Sequence, residues 1–129
     1  MEDDPKPKPV RWIGSSREDV RDFPGPVRLR VGGALWDAQL GGKAAWVKPL
    51  QGFGGAGVLE VVDDYDGDTY RAVYTVRFSG VVYVLHAFQK KSKSGIATPR
   101  HVIALIEQRL RRAREDYERW LTTTKTTSR

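Results

Sequence analysis

Apolar positions along the chain follow two periods. From Val58 to Phe88 the period is that of strands: Val58-Leu59-Glu60-Val61-Val62, then Tyr70–Phe78, then Val81–Phe88, all rich in β-branched and aromatic residues. Asp66-Gly67 separates the first two and is a strong hairpin signal, because a two-residue hairpin turn needs positive φ angles that Asp and Gly tolerate. Ser79-Gly80 turns the second into the third. A three-stranded antiparallel meander is expected, with Val10–Ile13 as one further short strand.

Elsewhere the period is helical. Ser15 or Ser16 caps a short helix, Arg17–Phe23, with Glu18 and Asp19 in its first turn. Phe23-Pro24-Gly25-Pro26 ends it. A second helix follows over Val27–Leu40, with Leu29, Leu35, Trp36, Ala38 and Leu40 as apolar positions and Gly41-Gly42 as its stop. Gly32-Gly33 inside it either weakens the helix or marks close backbone packing. The last helix is the clearest element. Thr98 is its expected N-cap and Pro99 its first helical residue. Ile103, Ile106, Leu110, Ala113, Tyr117 and Trp120 recur at three- and four-residue spacing. That stripe lies on the sheet and leaves Arg109, Arg111, Arg112 and Arg114 facing largely outward. The fold class is α+β: a compact antiparallel sheet with two N-terminal helices and a long C-terminal one. It forms a single domain over 9–121, between flexible tails at 1–8 and 122–129.

Composition narrows the class. A chain of 129 residues suits one domain with its own core, and 40% hydrophobic residues, with four Trp, five Tyr and four Phe, argue for a folded chain. The absence of cysteine excludes a disulfide framework and a thiol nucleophile, and fits a reducing compartment. No apolar run is long enough to span a bilayer. MEDDPKPKPV, at the N-terminus, lacks the apolar core of a secretory signal, so a cytoplasmic location is expected. The net charge of +6 and pI near 9.8 point to a polyanionic partner. Acids gather at the N-terminus and in Asp63–Asp68, and cations dominate from Arg71 onwards.

Three motifs have plainer readings than they first suggest. Gly52-Phe53-Gly54-Gly55-Ala56-Gly57 fits G-x-G-x-x-G, but Pro49 lies just before it and a β-branched strand follows, where a dinucleotide site needs a strand and then a helix. Asp63–Asp68 resembles a calcium loop without the required Gly and closing Glu, and reads as a turn. The two histidines, His86 and His101, lack partners at zinc-ligand spacing, and no Ser–His–Asp arrangement is suggested. His86 reads as a core histidine with a satisfied hydrogen bond, or else as a catalyst. Neither metal nor cofactor is expected.

The cations carry the candidate chemistry. An even separation puts Arg71 and Arg77 on one strand face with Val73 and Thr75. They are either solvated on an open sheet face, or guanidiniums held rigidly for phosphate. Lys90, Lys91 and Lys93, at the end of the third strand, are either a solubilising turn or part of the same site.

RAVYTVRF (71–78) and VYVLHAFQKKSKSGIATP (82–99) resemble the RelE/ParE toxin superfamily, in its HigB-like, phage-derived branch. WIGSS (12–16), AQLGGK (38–43) and KPLQGFGGAGVLE (48–60) are similar to it as well, so the likeness runs from Trp12 to Tyr117. The resemblance implies a toxin of a type II toxin–antitoxin system, neutralised by a helix-turn-helix antitoxin of the HigA kind. It implies metal-independent cleavage of mRNA in the ribosomal A site, in which the 2′-hydroxyl attacks the adjacent phosphate and leaves a 2′,3′-cyclic phosphate. By that resemblance Arg71 stabilises the phosphate, and Lys90 and Lys91 occupy the region of the acid–base residues. Lys48 is a base or an RNA-positioning lysine, Phe88 stacks on a base, and Arg77 and Lys93 hold RNA. The general acid is unassigned, because Phe88-Gln89-Lys90-Lys91 stands where some relatives carry His-Tyr or a closing Tyr. A ParE-like inhibitor of DNA gyrase and an inactive RNA- or partner-binding phage protein are the alternatives.

Overall fold

In a computed structural model of the protein, residues 6–54, 57–90 and 98–127 are described, 124–127 as backbone only. Among these residues the chain forms one five-stranded sheet and three helices. In chain order they are β1 (Val10–Trp12), α1 (Ser16–Arg21), α2 (Gly25–Gln39), β2 (Val47–Pro49), β3 (Val58–Tyr65), β4 (Asp68–Thr75), β5 (Val82–Lys90) and α3 (Arg100–Thr127). The sheet order is β1-β5-β4-β3-β2. The meander β3–β4–β5 is antiparallel as expected, and its first turn closes between Tyr65 and Asp68 on Asp66 and Gly67, with φ of 53° and 85°.

Two features of the sheet differ from the sequence expectation. β1 pairs parallel with β5, Val10 opposite Val82 and Trp12 opposite Val84, so the sheet is mixed. β2 is an extra strand on the far edge, with Lys48 opposite Glu60. Its three residues and terminal proline leave almost no period to detect, and Pro is tolerated there because edge strands need fewer ladder bonds.

Both faces of the sheet are covered. Val27, Val31, Ala34, Leu35 and Ala38 of α2 pack on Leu59, Val61, Ala72 and Val84, while Val102, Ile106 and Ala113 of α3 pack on Val58, Val73, Tyr83 and Leu85. Burial on both sides explains the nearly continuous apolar runs of the strands. It also removes the open sheet face that one of the two readings of Arg71 and Arg77 required. β5 reaches both cores by alternation and carries a bulge: Tyr74 faces Val84 and Val73 faces His86, leaving Leu85 as the extra residue.

The caps depart from the sequence reading. Ser15 donates its hydroxyl to the Asp19 carboxylate and accepts no capping bond from a backbone N–H, and Ser16 is buried and donates to the Val84 carbonyl, tying α1 to β5. At the start of α3 the Pro99 carbonyl accepts from Val102 and Ile103, so the capping position is Pro99 and the Thr98 hydroxyl serves elsewhere. Arg109 is not turned outward: it donates to the Leu85 carbonyl. The ends are less tail-like than expected, since Lys8 exchanges hydrogen bonds with Gln39 and α3 continues to Thr127. No helix among the described residues is long and apolar enough to cross a membrane.

Candidate functional site

Strand register assembles a polar cluster on the α3 side of the sheet. Glu60 on β3 lies opposite Lys48 on β2 and diagonal to Arg71 on β4, where Val62 faces Arg71 and Val73 faces Glu60. Glu60 and Arg71 are both buried, and Arg71 Nη1 donates to Glu60 Oε2 at 3.3 Å. The same Nη1 donates to Thr98 Oγ1 at 3.3 Å, so the residue leading into α3 clamps the guanidinium from above. Lys48 Nζ stands 4.0 Å from Glu60 Oε1, with 67% of its side chain exposed. A buried charge pair is expensive unless well bonded, and this one is not sealed in the core. It floors a cleft of about 380 Å³ whose walls include Lys48, Gln51, Glu60, Arg71, Thr98 and Ile103. The result is a buried guanidinium bonded to a carboxylate at the floor of a cleft, with an exposed ammonium at its rim.

β5 extends the cluster. Phe88 is Arg71's register partner and Lys90 is the partner of Thr69, one pair further along the same face. The Phe88 ring stacks on His86, centroids 5.0 Å apart at 20°. His86 Nδ1 lies 3.1 Å from Arg109 Nη1. A guanidinium can only donate, so Nδ1 is the acceptor and the neutral ring carries its proton on Nε2. Burial, reinforced by the Arg109 charge, holds the His86 pKa below its ordinary value. His86 is therefore a neutral support for Phe88, hydrogen-bonded as a core histidine would be.

The structure brings Lys48 and Arg71 into the cleft and sets Phe88 and Lys90 beside it. Arg77 is elsewhere. β4 ends at Thr75, and Arg77 gives a guanidinium hydrogen bond to the Phe53 carbonyl while its side chain packs against Gly57. Alternation from Arg71 fails because the strand stops before reaching Arg77, and this arginine braces the glycine-rich loop instead of joining Arg71. Lys91 and Lys93 lie outside the described residues. Glu60, Thr98 and Gln51 are the members that sequence reasoning missed. Glu60 had one visible signal, as the lone charge within the apolar run Val58–Val62.

A small α+β protein with one rigid arginine–carboxylate cleft fits the class that the motifs around Arg71 suggested. Residues 18–111 match the family model "Phage derived protein Gp49-like". The chain belongs to this phage-derived Gp49-like family. No curated protein matches the chain. Among solved structures, a chain from the toxin–antitoxin complex RelBE2 of Mycobacterium tuberculosis is 21% identical, aligned over 70% of this chain and 100% of its own, with a TM-score of 0.44.

Proposed function

We propose that the protein is the toxin of a type II toxin–antitoxin system and cleaves mRNA on the ribosome. The observation that supports this reading is the Lys48–Glu60–Arg71 cluster at an open cleft in a chain of this family. Cleavage by the RNA's own 2′-hydroxyl needs a proton acceptor, cations for the crowded phosphorane and a donor for the leaving 5′-oxygen. Glu60, the carboxylate lining the cleft, takes the 2′-hydroxyl proton. The O2′–P bond forms, the P–O5′ bond breaks, and Arg71 donates to the phosphorane oxygens from a position fixed by Glu60 and Thr98. A lysine ammonium, Lys48 at the rim or Lys90 on β5, returns a proton to the 5′-oxygen. The products are a 2′,3′-cyclic phosphate and a 5′-hydroxyl, and the chain's own side chains fill every role. Phe88, held flat by His86, offers a stacking surface to a splayed base.

The net charge of +6 favours docking on ribosomal RNA, and a helix-turn-helix antitoxin is the expected neutralising partner. Glu60→Gln, which keeps shape and removes the proton acceptor, is expected to abolish growth arrest on induction, and Lys48→Ala to weaken it. Full toxicity of Glu60→Gln at equal expression would overturn the role of the cleft. Inhibition of gyrase supercoiling with translation unaffected would overturn the reading as a whole.

A further inference from the structure

Helix α2 is apolar on two opposite sides. At about 100° per residue, Val27, Val31, Ala34, Leu35 and Ala38 share one side, and they are buried on the sheet. Leu29, Gly33, Trp36 and Leu40 share the other side, within about 60° of one another. There Leu29, Trp36 and Leu40 are 79%, 50% and 46% exposed. The sequence pattern grouped these three with Leu35 and Ala38 simply as apolar positions, because a helix with two apolar stripes shows no single amphipathic direction. A solvated helix turns a polar side outward. Steps of four, three and four residues instead form the seam of a helix that packs on a second helix. Trp46 flanks the seam, 3.9 Å from where a Cβ on Gly33 would stand, with Arg30 stacked over its ring at 4.6 Å.

We propose that this seam joins two copies of the chain, with their α2 helices packed antiparallel about a two-fold axis level with the Ala34–Leu35 peptide. The seam complements itself when reversed. Leu29 of one copy meets Leu40 of the other, and Trp36 of each copy enters the gap above Gly33 of the other, against that copy's Trp46. A large residue over a glycine lets two helices approach at the close end of the usual 8–10 Å range. The charges agree with this register. Arg30, which also pairs with Asp63 of its own chain at 3.7 Å, and Asp37 lie on one flank of the seam, and the two-fold brings Arg30 of each copy to within about 3 Å, along the axis, of Asp37 of the other. A parallel pair would instead set Trp36 against Trp36 and Gly33 against Gly33. The contact lies on the sheet face away from the cleft, so it stands independently of the activity proposed above.

Because the chain lacks cysteine, the register can be tested by pairing single cysteines in the full-length protein. Leu29→Cys and Leu40→Cys, mixed and oxidised, are expected to give a disulfide-linked species of twice the 14.5 kDa chain mass. Each variant alone stays unlinked, because like positions are about 16 Å apart along the axes and a disulfide spans Cα atoms no more than about 7 Å apart. Sedimentation equilibrium of the unaltered chain is expected to show a monomer–dimer equilibrium, which Trp36→Glu weakens about tenfold or more, with an unchanged circular dichroism spectrum. Linking of each variant to itself as readily as to the other overturns the antiparallel register. A chain that sediments as a monomer up to about 100 μM assigns the stripe to another partner and overturns the proposal.

Discussion

Asp116→Ala is expected to loosen α3 from the sheet by a calculable amount. Asp116 accepts from Tyr83 Oη at 2.6 Å, and from Arg11 Nε and Nη2 at 2.6 and 3.1 Å, so one carboxylate moors α3 to β5 and β1. Tyr83 is fully buried, and without Asp116 its hydroxyl has lost its acceptor. That loss costs about 1–3 kcal/mol. The Arg11 side chain is 39% exposed and rehydrates, so its share is only about 0–1 kcal/mol. The sum is about 1–4 kcal/mol. For a chain of 129 residues this lowers Tm by about 4–15 °C.

The pH dependence has a definite sign. Hydrogen bonds from Arg11, assisted by Tyr83 and opposed by burial, hold the Asp116 pKa below the usual carboxylate range. A depressed carboxylate stabilises the fold above its unfolded value of about 3.9, and that contribution disappears as pH falls through the folded value. The gap between wild type and Asp116→Ala is therefore full at neutral pH and narrows below about pH 4. Thermal and urea unfolding followed by circular dichroism measures both quantities. A Tyr83→Phe background separates the hydroxyl's share by a double-mutant cycle. A loss under about 0.5 kcal/mol, or one undiminished in the Tyr83→Phe background, would refute the mooring.

Other sites give independent checks. Gly14 has φ of +59°, and a Cβ there would stand 2.8 Å from Arg109 Cζ, a guanidinium already fixed by Leu85 and His86. Gly14→Ala is expected to destabilise by about 1–3 kcal/mol, read as a lower urea midpoint; an unchanged midpoint would mean that Arg109 moves aside at no cost. His86 has a lowered folded pKa, so the unfolded chain takes up its proton first as pH falls. Stability drops below about pH 6.5 and levels off once the folded ring is also protonated. His86→Gln removes that slope, and a slope that persists would place its origin elsewhere. Ile106 is fully buried between α3 and the sheet, and Ile106→Ala is expected to cost about 2–5 kcal/mol. A loss below that range in chemical denaturation would mean that the α3 core relaxes to fill the space.

The meander and α3 were legible because each carries its own signal: an Asp-Gly turn between β-branched runs, and a long three-and-four repeat behind Thr98-Pro99. β2 was not, since three edge residues ending in Pro49 have no period. α2 was legible as a helix but not in orientation, because Leu29, Trp36 and Leu40 are as apolar as Val27 and Val31 and only packing tells the two sides apart. The site was partly visible. Arg71 stands out as a cation in an apolar strand, but its relation to Glu60 and Lys48 depends on the register of three strands, and the sequence contains no direct record of β2 pairing. Arg77 shows the opposite error, since counting in twos from Arg71 assumes a strand that in fact ends at Thr75. Arg109 looked exposed because cations on a polar stripe usually are, but its guanidinium donates to the Leu85 carbonyl of β5.

The most direct measurement is primer extension on a defined mRNA translated in vitro with the purified protein. Discrete cuts within codons at the ribosomal A site, bearing 2′,3′-cyclic phosphate ends, present with wild type and lost with Glu60→Gln, are expected. Uncut mRNA under conditions in which the wild-type protein arrests growth would contradict the proposed nuclease and leave the cleft without the chemistry assigned to it.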